Sequence, residues 1–233
     1  MKQNKWSLAF FFLLLIVMQL AIIWALGIAP PDSEQKDIHR VFYFHLGSIW
    51  PGFLAFFYVL YASIRYLSSR NPAFDRRALA SGEIGFLFTT IVLVTGPIWA
   101  KPVWGVWWAW DARLTSTLAL WLIFLGYINL RWYIDDETKR PRISAVLGII
   151  GACMVPFVYF STRIFNTLHP GPVIMGEPDD GIKDPNMNIA LLLAFAAFTL
   201  MYLFFWQRGR ELFRVESRVQ ELKARINLME RDT

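Results

Sequence analysis

Charged residues are spread unevenly along the chain, and the long gaps between them predict its main elements. Residues 6–27, WSLAFFFLLLIVMQLAIIWALG, carry no charge at all, and a helix of that length crosses the hydrocarbon core of a bilayer. Apolar runs of the same character recur at 41–64, 84–100, 114–130, 143–161 and 188–206. The pattern predicts an all-α integral membrane protein with six spans. Pro51, Gly96-Pro97 and Pro156 fall inside spans, where a missing backbone N–H is expected to kink the helix. Longer connections fall at 28–40, 100–113 and 162–187. This organisation gives a membrane domain over 1–206, with a Trp-rich loop at 100–115, and a charged tail over 207–233.

Composition sharpens that picture at three points. The chain is 56% hydrophobic and 18% charged over 233 residues, too apolar for an ordinary soluble domain. The first run exceeds the roughly 7–15 residues of a signal-peptide core, so it reads as a retained helix despite Lys2 and Lys5 before it. The single cysteine, Cys153, excludes an internal disulfide, CxxC thiol chemistry and a CxxCH attachment site; it reads as a small buried packing residue.

Charge sets the expected orientation. With the N-terminus inside, inner segments and tail hold 17 of the 23 Lys and Arg, including Arg65, Arg70, Arg76, Arg77, Arg131 and Lys139. The outer segments hold Lys36, Arg40, Lys101, Arg113, Arg163 and Lys183. Both termini are therefore expected in the cytoplasm. The net charge of +5 reflects membrane orientation, and nucleic acid is not an expected partner.

On the outer side, WGVWWAWDARLT (104–115) follows Trp99, so five of the 11 tryptophans lie within residues 99–110. If the segment were helical, Trp104, Trp107, Trp108 and Asp111 would share one face and Trp110 would point elsewhere. An aromatic belt spreads tryptophan over every span, whereas this concentration forms a shelf for a large, flat, apolar ligand. All three histidines lie at the same level: His39 in the first outer loop, His45 just inside span two, and His169 beyond span five. An ionisable residue within a span defaults to a functional reading. Two imidazoles beside an indole shelf fit haem, whose iron takes neutral imidazole axially. Its propionates would need cations, with Lys101, Arg113 and Arg163 the candidates, although Arg113 has an equal claim to pair with Asp111. His39 is read as an ordinary loop residue. No phosphate loop, HExxH cluster or nucleophile motif occurs, so these residues form a binding site without visible catalytic equipment.

The segment WGVWWAWDARLTS resembles the tryptophan-rich WWD signature of membrane proteins that handle haem in cytochrome c maturation. With HRVFYFHLGSIW around His45 and FNTLHPGPV around His169, the chain resembles the haem exporter protein C family (CcmC) over nearly its whole length. The resemblance implies a multi-pass protein of the bacterial inner membrane that is not an enzyme. It would bind haem b at the outer face and deliver it to the haem chaperone CcmE, working with CcmA, CcmB and CcmD. It carries axial ligation to His45 and His169, and the haem platform to Trp104, Gly105, Trp107, Trp108, Trp110, Asp111 and Arg113. Ile164-Phe165 stands where relatives often have paired tryptophans. Two other readings are a haem-attaching WWD protein, which the short chain disfavours, and an electron-transfer subunit with a bis-His b-type haem. The latter usually buries its histidines deep in the bundle, whereas this pair lies at one surface.

In the tail, Leu212, Val215, Val219, Leu222, Ile226 and Met229 form a short heptad stripe. It reads either as a docking helix for a partner or as an amphipathic helix on membrane lipid.

Overall fold

The structure is a computed structural model that describes residues 5–165, 167–169 and 184–231. Lys2, Lys183 and the motif residues after His169 lie outside the described residues.

Among the described residues there are six long helices, each long and apolar enough to cross a membrane. They are α1 (Lys5–Ile23), α2 (His39–Ser69), α3 (Pro72–Trp104), α4 (Ala112–Tyr133), α5 (Lys139–Ile164) and α6 (Pro185–Arg231). A π-helical turn, Trp24–Ile28, extends α1. Their exposed faces are rich in large apolar side chains such as Phe12, Ile16, Phe57 and Leu192, as expected where the surrounding solvent is lipid.

Several helices overrun the apolar windows that revealed them. Asn71 caps α3 by accepting the Ala73 N–H at 2.9 Å, and Pro72 opens the helix; both are favoured N-terminal choices. Hence α3 starts well before residue 84. Pro51, Pro97 and Pro156 all sit within continuous helices. The last helix runs unbroken past residue 206, and the apolar tail positions Leu212 to Met229 are exposed along it.

The core lies between α2, α4 and α5, where Phe56 stacks on Phe124 at 3.9 Å beside buried Leu120, Tyr127 and Val155. A second cluster joins α2, α3 and α6 through Ala55, Phe88, Phe198 and Tyr202. At one end of the bundle, Arg131 grips Asp75 with both terminal nitrogens, one of them at 2.9 Å. This largely buried pair ties the start of α3 to the end of α4. The opposite end, where α2 begins and α3 ends, splays around a cavity. Cys153, expected to be buried, is exposed on α5; the apolar run around it is lipid-facing on that side, so apolar neighbours did not imply a buried site.

Candidate functional site

The end of α3 is shaped by its stop signal. Gly105 takes the left-handed conformation, φ 76°, and its N–H closes the last turn on Lys101 O at 3.0 Å. A side chain there would be strained. The Lys101 ammonium donates to Gly105 O at 2.8 Å, so it seals the helix end. Six residues later Asp111 caps α4, its Oδ1 accepting the Leu114 N–H at 2.9 Å. Between these signals the Trp segment is irregular loop. This corrects the shared helical face expected for Trp104, Trp107, Trp108 and Asp111.

The loop roofs a cavity of about 450 Å³ between α2, α3, α4 and α5, within the usual range for small-molecule sites. Its lining includes His45, Trp104, Trp108, Arg113, Tyr159 and His169 among mostly apolar side chains. Trp107 and Trp110 are largely exposed, at 59% and 77%. They stand on the outer rim, with Trp110 edge-on to Trp108 at 5.7 Å. Ile164 and Phe165 are also exposed and outside the cavity.

His45, one and a half turns into α2, is buried. Its Nδ1 lies 2.9 Å from Thr95 Oγ1, and Thr95 donates its own proton to Ile91 O at 2.7 Å. The hydroxyl has only one proton, so it accepts from His45 Nδ1–H and leaves Nε2 as the lone-pair nitrogen. That outer-shell arrangement is typical of a metal-binding imidazole. Gly96 packs beside the ring, where a Cβ would lie in van der Waals contact with His45 Cε1 at 3.4 Å.

The sequence places His169 124 positions away, yet the two imidazole centroids are 6.5 Å apart with their planes at 51°. Metal–imidazole bonds are about 2 Å, so two in line, plus ~1 Å from each nitrogen to its ring centre, span about 6 Å. The pair is thus spaced for opposite sides of one metal. Trp104 and Trp99 meet the His169 ring edge-on at 5.3 and 6.2 Å. Burial, reinforced by the Arg113 guanidinium and His45, pushes the His169 imidazole down to about 3. It therefore stays neutral and able to ligate at physiological pH.

Arg113 does not pair with Asp111. Its Nη2 donates to Tyr159 O at 2.9 Å and Thr162 Oγ1 at 3.1 Å on α5. Four buried polar atoms here lack a partner: Trp108 Nε1, Asp111 Oδ2, Arg113 Nε and His169 Nδ1. Buried polar groups are normally satisfied, so this concentration at one mouth points to a ligand or partner that supplies the missing bonds. Lys101 and Arg163, the other outer cations considered, do not line the cavity.

The sequence alone did not single out Thr95 or Gln35, and it counted Trp99 in the tryptophan cluster without giving it a separate role. Gln35 Oε1 accepts the Trp99 indole N–H at 2.8 Å and lies 3.4 Å from His39 Nδ1. Asp32 holds that loop by accepting the Glu34 and Gln35 N–H groups. Through Gln35, the loop before α2 braces the aromatic wall beside His169, and His39 belongs to this brace and not to the cavity lining.

The chain is also similar to known proteins. A family model described as Heme exporter protein C matches residues 2–225. A Heme exporter protein C of Bradyrhizobium diazoefficiens is 36% identical over 188 residues, covering 80% of this chain and 71% of its own. The Escherichia coli K12 protein of that name is 36% identical over 190 residues, 80% of this chain and 77% of its own. The one from Haemophilus influenzae is 33% identical over 200 residues, 86% and 81% respectively.

Proposed function

The chain belongs to the heme exporter protein C family, multi-pass membrane components of haem export in cytochrome c maturation and not enzymes, and from that premise we propose how it holds its cargo. Haem b sits in the cavity at the outer face, with His45 Nε2 and His169 on opposite sides of the iron. Trp104 and Trp108 cover the porphyrin, and the unpaired Arg113 Nε meets a propionate. Gly105 and Asp111 act through the loop they terminate, while Trp107 and Trp110 offer the rim to a receiving protein. The protein works with other cytochrome c maturation components. In the finer reading it passes haem to CcmE as part of a complex with CcmA, CcmB and CcmD. It lies in the bacterial inner membrane with both termini cytoplasmic, the orientation that the Lys and Arg distribution favours.

The observation carrying this reading is the 6.5 Å approach of two imidazoles inside an apolar cavity. The test is the absorption spectrum of purified protein, wild type against His45→Ala and His169→Ala. Each variant is expected to lose the low-spin bis-histidine spectrum and to regain it partly with added imidazole, which fills the vacated position. Wild-type spectra and haem content in both variants would overturn the ligand assignment.

A further inference from the structure

At the end of the bundle opposite His45, α1 and α6 enclose a groove of about 440 Å³ lined by Phe10, Leu203, Trp206, Gln207, Arg210, Glu211 and Arg214. We propose that this groove binds an anionic phospholipid, with the phosphate held by Arg210 and Arg214 and an acyl chain on Phe10 and Leu203. This site is independent of the haem cavity.

The argument starts from spacing. Leu203, Trp206/Gln207, Arg210 and Arg214 recur at three and four residues, which sets them on one stripe of α6. Over roughly 16 Å of helix axis, that stripe passes from aliphatic to aromatic to cationic. A phospholipid has the same order along its length: acyl chain, glycerol ester, phosphate. The groove also lies where α6 leaves its apolar span, which extends to Val215, and so at headgroup depth.

The polar inventory favours an anion. Trp206 Nε1 is buried without a partner, and an indole N–H can only donate. The Arg210 guanidinium sits 4.7 Å from the Trp206 ring centroid, which holds it over the groove. Glu211 is already engaged, accepting from Arg208 at 2.7 Å and Gln207 at 3.3 Å. Among the described residues no carboxylate forms an ion pair with Arg210 or Arg214. Two uncompensated guanidiniums and an indole donor suit phosphate oxygens. A zwitterionic lipid would bring its own cation against them, so it should bind less well.

The test uses the full chain in nanodiscs of phosphatidylcholine doped with phosphatidylglycerol, with retained lipids counted by native mass spectrometry after mild detergent extraction. Phosphatidylglycerol should be enriched over phosphatidylcholine by about tenfold relative to the disc. Arg210→Ala/Arg214→Ala should abolish that enrichment, and Trp206→Phe, which keeps the ring but removes the donor, should reduce it. Lys223→Ala, further along the same helix and outside the groove, should leave it intact. Millimolar inorganic phosphate should not displace the lipid. Equal retention of the two lipids, wild-type enrichment in the double arginine variant, or an equal loss in Lys223→Ala would overturn the proposal. Displacement by inorganic phosphate would overturn it in favour of a free-anion site.

Discussion

Thr95→Val isolates the contribution of a single hydrogen bond to haem binding. Valine keeps the approximate shape of threonine but removes the oxygen that accepts from His45 Nδ1–H at 2.9 Å. Iron bound at Nε2 draws electron density from the ring and makes Nδ1–H a better donor, so the lost bond weakens the loaded state more than the empty one. An unsatisfied buried donor costs about 1–3 kcal/mol. Removing an outer-shell partner typically lowers metal affinity by about 10–100-fold, or roughly 1.4–2.7 kcal/mol. The orphaned donor is costly in both states, so the outer-shell range governs binding, and its middle, near ~2 kcal/mol, raises the haem Kd roughly 30-fold. Thr95→Ser keeps the oxygen and should stay within about threefold of wild type. Titrating haem into apoprotein, followed at the Soret band, measures both. If Thr95→Val binds like wild type, or Thr95→Ser is as weak as Thr95→Val, then Thr95 does not orient the ligand and the tautomer derived for His45 is wrong.

Trp104→Ala and Trp108→Ala should each remove on the order of 100 Å² of indole contact, about 2.5 kcal/mol or nearly 100-fold in affinity, without changing the spectrum of the residual haem. Trp107→Ala, on the exposed rim, should leave retention unchanged; haem content after repeated gel filtration separates the cases, and a Trp107 loss as large as that of Trp108 would contradict the rim placement. Gln35→Leu orphans the Trp99 indole N–H at a cost of about 1–3 kcal/mol. It should lower apoprotein thermal stability and broaden the haem resonance signals, and Gln35→Glu, which keeps an acceptor, should restore both. Because the His169 imidazole is depressed to about 3, haem affinity should hold from pH 8 down to ~5, where a site with an ordinary histidine near 6.5 would already weaken. Apoprotein stability should do the opposite: the unfolded chain takes up a proton at His169 that the folded one refuses, so stability falls as pH drops through 6.5. Thermal melts and haem titrations across that range test both signs.

The fold was largely legible because lipid crossing needs length and apolarity, and both are visible without partners. Helix ends were less so. Residues 72–83 mix charge with apolar positions, so hydropathy placed the third span at 84–100, although Asn71-Pro72 is a readable start signal. The Trp segment carried its own correction, since Gly105 and Asp111 are respectively stop and cap residues, and helical periodicity was applied across them. His45 stood out as an ionisable residue in an apolar run. Thr95 and Gln35 did not, because each acts on a side chain 50 or 64 positions away, and no local pattern marks such a pairing.

The two halves of the cavity are held with different firmness, and this bears on a protein whose cargo must leave. His45 lies on a continuous helix, with its Nδ1 bonded and Gly96 packed beside its ring. His169, Trp108, Asp111 and Arg113 lie on or beside loops, and each has a buried polar atom without a partner. Such unpaired atoms are costly, so the outer half gains more from a ligand than the inner half does. It also yields more readily when another protein offers the same bonds. A permanent cofactor would favour equal fixation on both sides, as in a cytochrome that never releases its haem. One fixed imidazole and one poorly satisfied wall instead suit the proposed carrier, with Trp107 and Trp110 exposed on the rim. Thr95→Val and Gln35→Leu act on opposite halves: the first should weaken haem binding at a fixed wall, the second should loosen a wall that is already the weaker.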